Sequence, residues 1–138
     1  MKGSVQKANV LTGLEVLAND RVLQHSIKGN IGYLCHAASI GSDYEHGIDL
    51  LKGCFGSRLK KLFSPQHGLY AEEQDNMIES DHFFHPFYQL PVYSLYSETR
   101  KPNAEMLQGL DCVLVDLQDV GTRIYTFIYT MSLMMEAC

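Results

Sequence analysis

DCVLVDLQDVGTRIYTFIYT, residues 111–130, holds the clearest strand signal in the chain and its densest run of reactive side chains. Cys112 to Val115 are apolar at successive positions, the pattern of a strand buried on both faces of a parallel sheet. The run ends in Asp116, Gln118 and Asp119, and Arg123, Tyr125 and Tyr129 follow within a few residues. From Ile124 the period changes. Ile124, Phe127, Ile128, Met131, Met134 and Met135 recur at helical spacing and predict an amphipathic last helix with the methionine stripe in the core.

Working outward, Asn30 to Cys35, Arg58 to Phe63 and Pro91 to Tyr96 read as three further strands. Thr12 to Ala18 reads as a short capped helix, with Thr12 or Asn9 as N-cap. Tyr44 to Lys52 puts Ile48, Leu50 and Leu51 on one helical face, and Asn103 to Gly109 is a helix that follows Pro102 and stops at glycine. Strands alternating with helices imply βαβ units. The expected class is α/β: an open, mostly parallel Rossmann-like sheet with helices on both faces. The fingerprint GxGxxG is absent, so no dinucleotide cofactor is expected, and no other cofactor either.

At 138 residues the chain suffices for one domain, taken as residues 1–138. A net charge of −5 argues against nucleic acid as a partner, because phosphate binding needs clustered Lys and Arg. The one basic cluster, Arg58-Leu59-Lys60-Lys61, reads as a solvated strand edge. No stretch approaches the roughly 18 apolar residues of a membrane span. MKGSVQKANVLTG has a positive start without an apolar h-region, so the expected compartment is cytoplasmic, with export left open. Cys35, Cys54, Cys112 and Cys138 have no CxxC spacing and read as reduced thiols.

In open parallel sheets the ligand lies beyond the carboxyl ends of the strands. The loops that fall there are His36 to Asp43, SPQHGLYAEEQDN from Ser64 to Asn76, SETRKP from Ser97 to Pro102, and LQDVGTR from Leu117 to Arg123. All four are rich in His, carboxylate, amide, Arg or Tyr. Four such loops on one edge mark a site.

SPQHGLYAEEQDN, PVYSLYSETRKP and VDLQDVGTRIYTFIYT resemble, in order and spacing, successive motifs of the bacterial exo-β-N-acetylmuramidases, a family long catalogued as a domain of unknown function. The likeness extends from about Thr12 to the end. It implies a glycoside hydrolase of cell-wall turnover that removes terminal, non-reducing N-acetylmuramic acid from peptidoglycan fragments. The implied partner is a muropeptide or MurNAc-GlcNAc type saccharide. It also implies a Rossmann-like N-terminal domain facing a second, C-terminal domain that this chain lacks. The expectation is therefore a fragment whose truncated, exposed edge promotes self-association. Gln66 stands where many relatives have glutamate, Tyr70-Ala71 replace a frequent Arg-Gly, and Ser97 replaces a frequent glycine.

Glycoside hydrolysis needs a proton donor and a group that stabilises or attacks the oxocarbenium-like centre, commonly two carboxylates. Glu73, in the longest polar loop, is the candidate acid/base, with Glu72 as its solvated neighbour. Asp116, fixed at a strand end, is the candidate second carboxylate, and Tyr125 a donor or less usual nucleophile. His67 is placed to orient Glu73 or bind a hydroxyl. Arg100 and Arg123 are candidate clamps for the lactyl carboxylate, since a guanidinium grips a carboxylate through two parallel bonds. Gln66, Gln118, Asp119, Tyr96 and His36 complete the substrate-binding set, and Asp119 doubles as a candidate N-cap of the last helix. His82 and His85 have i,i+3 spacing without a third ligand, so no metal is expected. Two other readings compete: an inactive sugar-binding remnant, and a metal-assisted hydrolase using Asp116, His67 and Glu73.

Overall fold

The computed structural model describes residues 10–73, 78–122 and 124–138. Its elements in chain order are α1 (Gly13–Asn19), α2 (Arg21–Ser26), β1 (Ile31–Cys35), α3 (Gly47–Phe55), β2 (Leu59–Ser64), β3 (Phe83–His85), β4 (Leu90–Ser94), α4 (Ala104–Leu107), β5 (Cys112–Asp116) and α5 (Phe127–Ala137). The strands form one sheet in the order β3-β4-β2-β1-β5. β4, β2, β1 and β5 are parallel, and β3 joins β4 antiparallel. The expected α/β class is the observed one.

The alternation of β1 builds the two layers. Ile31, Tyr33 and Cys35 point to one face, where they pack with Leu14 of α1 and with Ile48, Leu51 and Phe55 of α3. Leu34 points to the other, against Phe63, Leu95, Met106 of α4 and Met134 of α5. Each β1 residue is fully or almost fully buried, as a central strand between two helical layers requires. Gly32 is needed for that fit, because a Cβ there would lie 2.8 Å from Leu110 Cδ1 and 3.0 Å from Phe63 Cε2.

Several expectations are corrected. β5 is less buried than its apolar run predicts, none of its five residues being fully buried. Among the described residues it pairs only with β1, and Val115 is 37% exposed. The last helix begins at Phe127, and Ile124 lies outside it, 88% exposed. Of the methionine stripe only Met134 is core; Met131 and Met135 face solvent, because the buried side of α5 runs through Phe127, Thr130 and Met134. The helix expected from Tyr44 starts at Gly47, since Tyr44 holds φ 66° in a turn and His46 caps the helix by accepting from the Ile48 N–H. The strand expected at Pro91–Tyr96 starts one residue earlier and ends two residues earlier, and α4 is a single turn capped by Asn103. The basic cluster is more than solvated. Arg58 donates to the Gly29 and Ile27 carbonyls, and Lys61 Nζ to those of Glu105 and Met106. α2 and β3 are additions that the sequence reading did not contain. Among the described residues no helix is long and apolar enough to cross a membrane.

Candidate functional site

The carboxyl ends of β1, β2 and β5 bring one group of candidates together. Register sets this: Cys35 pairs with Asp116, and Leu34 with Phe63, so His36 and Asp116 flank the β1 end and Gln66 follows two residues past β2.

Asp116 is held from below. The Tyr33 hydroxyl donates to its Oδ2 at 2.9 Å, and Ser39 Oγ donates to its carbonyl at 2.6 Å. Tyr33 reaches it because position 47 is glycine: a Cβ there would sit 2.1 Å from the Tyr33 hydroxyl oxygen. Burial first, and then the nearby Cys35 and Asp116, push the Tyr33 phenol well above its ordinary range, so it stays a neutral donor. The same burial raises the Cys35 thiol, which is inert in the core.

His36 is 7% exposed. Its backbone N–H donates to Ser39 Oγ at 3.0 Å, its Nδ1 accepts from the Ala38 N–H at 3.3 Å, and its ring meets Phe127 edge-on at 4.7 Å. Its carbonyl accepts from His46 Nε2 at 3.1 Å. Burial lowers the pKa of both imidazoles, partly opposed at His36 by Asp116. Gln118 donates to the Ala38 carbonyl at 2.6 Å, tying the β5 loop to the β1 loop.

The β2 loop is set by two left-handed residues, His67 (φ 76°) and Gly68 (φ 82°). His67 acts on Glu73 through the main chain. Its Nδ1–H donates to the Glu73 carbonyl at 2.8 Å, and its own carbonyl accepts from the Glu73 N–H at 3.2 Å. That leaves His67 Nε2 as the ring nitrogen without a partner among the described residues. The half-buried Glu73 is thereby fixed in the backbone. Glu72 is a brace as well as a solvated neighbour, accepting from the Tyr70 N–H at 2.8 Å over Gly68. Gln66 Oε1 accepts from Thr126 Oγ1 at 2.9 Å. Tyr125 is half-buried, its ring 4.5 Å from that of Phe127.

Other candidates stand apart or differ. Arg100 lies over the Tyr96 ring at 3.7 Å, donates to the Ser97 carbonyl and pairs with Glu79 at 3.5 Å. Among the described residues, no hydrogen bond joins Arg100 or Tyr96 to the Asp116 group. Asp119 does not cap α5: its Oδ1 accepts from the Gly121 N–H at 3.3 Å, a local turn, and the N-cap is Thr126. Arg123 lies outside the described residues. His82 Nδ1 accepts from the Ser94 N–H, and His85 Nε2 meets the Tyr70 hydroxyl at 2.9 Å, so both are engaged in structure. Among the described residues no three His, Cys, Asp or Glu side chains gather in metal-binding geometry.

Tyr33, Ser39, Thr126 and Phe127 are site residues that sequence reasoning missed. Only Tyr33 had a signal, a hydroxyl on an otherwise apolar strand face opposite a helix-starting glycine. Two grooves flank β5 instead of lying above the strand ends, and the one of about 370 Å³ reaches Tyr33 and Asp116.

An open, mostly parallel sheet with helices on both faces, carrying a phenol-held carboxylate, a buried imidazole and a braced carboxylate loop at its carboxyl edge, is a Rossmann-like domain. The family model for exo-β-N-acetylmuramidase NamZ, N-terminal, matches residues 31–138, and the chain belongs to that family. It is 38% identical over 135 residues to the peptidoglycan β-N-acetylmuramidase NamZ of Bacillus subtilis (strain 168), covering 97% of this chain and 32% of that protein. Two crystal structures of DUF1343-family proteins from Bacteroides fragilis share the fold. One has a TM-score of 0.75 at 32% identity, covering 92% of this chain and 31% of that one. The other has a TM-score of 0.66 at 27% identity, covering 95% and 32%. The chain thus spans about a third of the length of the relatives it matches.

Proposed function

We propose that this chain is the N-terminal half of the active site of an exo-β-N-acetylmuramidase, releasing terminal, non-reducing N-acetylmuramic acid from peptidoglycan fragments. The observation that carries this is Asp116, held by Tyr33 at the end of β5, together with a backbone-fixed Glu73 in the loop after β2 at the same carboxyl edge of the sheet, in a chain 38% identical to a peptidoglycan β-N-acetylmuramidase. In this reading Glu73 moves the proton of the leaving oxygen, and Asp116 stabilises the positive charge that develops on the sugar. Tyr125 offers its hydroxyl to the same centre, and His67 Nε2 accepts from a sugar hydroxyl. The isolated chain also pairs with a second copy along the outer edge of β5.

The test is release of N-acetylmuramic acid and the chromophore from a chromogenic β-N-acetylmuraminide by the chain, by Glu73→Gln, and by a version extended with a relative's C-terminal region. Expected is turnover in the chain or its extended form, reduced at least about 100-fold by Glu73→Gln. No turnover in either form, or an unaffected variant, overturns the assignment.

A further inference from the structure

His36 has a hydrogen bond that the described chain does not complete. Its Nδ1 accepts from Ala38, so in the neutral ring favoured by burial the proton sits on Nε2. That Nε2–H is buried and meets no acceptor among the described residues. The Gln118 side chain lies near enough to favour the charged ring, yet its NH2 is turned to the Ala38 carbonyl. Buried donors are almost always partnered, so an orphan at a strand end marks a place where something else supplies the acceptor.

Gln66 supplies a second donor nearby. Its Oε1 is occupied by the Thr126 hydroxyl, and among the described residues its NH2 has no acceptor, which makes it the end that donates to a ligand. His36 and Gln66 touch consecutive residues, Phe127 and Thr126, so both donors meet the same turn at the start of α5. The chemistry selects the acceptor. Asp116 stands beside His36, which disfavours a second anion against a neutral imidazole. A neutral carbonyl is not penalised, and the rings of Phe127 and Tyr125 form an apolar wall for a methyl group next to it. The geometry points to the acetamido group of an N-acetylated sugar as the ligand of His36 Nε2–H, with the Gln66 amide as second donor. This rests on the reading of the site as one for an N-acetylmuramoyl sugar.

The probes are N-acetylmuramic acid and muramic acid, which differ only in the acetyl group. Binding is followed by titration and by the imidazole ¹H–¹⁵N resonances of the wild-type chain. Expected is a shift of the His36 Nε2–H signal with N-acetylmuramic acid alone, and roughly tenfold tighter binding of that sugar. His36→Leu should erase the preference, and His36→Gln, which keeps a donor, should restore part of it. A His36 signal that stays still while residues around Asp116 respond overturns this assignment alone. A shift with muramic acid as well makes the lactyl carboxylate the ligand and also overturns it. No response to either sugar anywhere overturns this inference and the proposed function together.

Discussion

Tyr33 shows how one side chain serves the core and the site at once. Its ring is part of the α1/α3 layer, 1% exposed, and its hydroxyl passes through the gap left by Gly47 to reach Asp116. Tyr33→Phe keeps the ring and removes the donor. A hydrogen bond to a charged group contributes about 1.5–3 kcal/mol, and Asp116 can regain part of that from water because it is only half-buried. The variant should lose about 1–2 kcal/mol in urea denaturation, with an unchanged slope, and its turnover should fall more than its substrate affinity. Unchanged stability and activity would mean that Asp116 needs no support from below. The carboxylates, amides and imidazoles of the site were readable because strand ends expose their loops at one edge. Tyr33 was not, since a residue alternating inward on a buried strand reads as packing whatever its polar tip does. Asp119 misled for a related reason: an Asp two residues before glycine satisfies a turn as well as it satisfies a helix end.

At the scale of elements, consecutive apolar residues made β1, β2, β4 and β5 legible, whereas α2 and β3 had no comparable signal. α2 has six residues without a buried face, Val22 being 81% exposed, and β3 has three residues on the sheet's antiparallel edge. α1 was legible through its cap. Thr12 Oγ1 accepts from the Glu15 N–H, and Glu15 Oε2 accepts from the Thr12 N–H at 2.8 Å. Glu15 reaches further, its Oε1 accepting from the Ser42 N–H, so the box also ties α1 to the loop after β1. Hydrogen bonds from Ser42 and Thr12 hold the Glu15 carboxyl down to about 2. The folded pKa is thus below the ordinary 4.5, so its contribution is complete above pH 4.5 and is lost as pH falls through about 2. Thr12→Ala should cost about 1 kcal/mol at pH 7, and the gap between wild type and variant should narrow as acid protonates Glu15. Parallel stability curves down to pH 2 would show that the two halves of the box act independently.

For the molecule as a whole, the outer edge of β5 is the proposed contact between copies of the isolated chain. Its apolar run reports helices on both faces; it does not report partners on both edges, and among the described residues the outer edge has none. An unpaired strand edge presents a row of N–H and C=O groups to any strand that fits it. The strand most available is a second β5. Paired antiparallel about Leu114, Val113 of one copy meets Val115 of the other, and Cys112 meets Asp116, so no carboxylate opposes another. The two apolar grooves beside β5, about 400 and 370 Å³, would be covered in the same step. The chain should therefore show a mass that rises with concentration in light-scattering chromatography, under reducing conditions because Cys138 is exposed and free. Val115→Lys places a charge on the half-exposed strand position and should return the monomer, with little loss of fold since Val115 is not part of either buried cluster. Wild-type monomer at every concentration would mean that the edge is too short, or too strongly twisted, to template a partner.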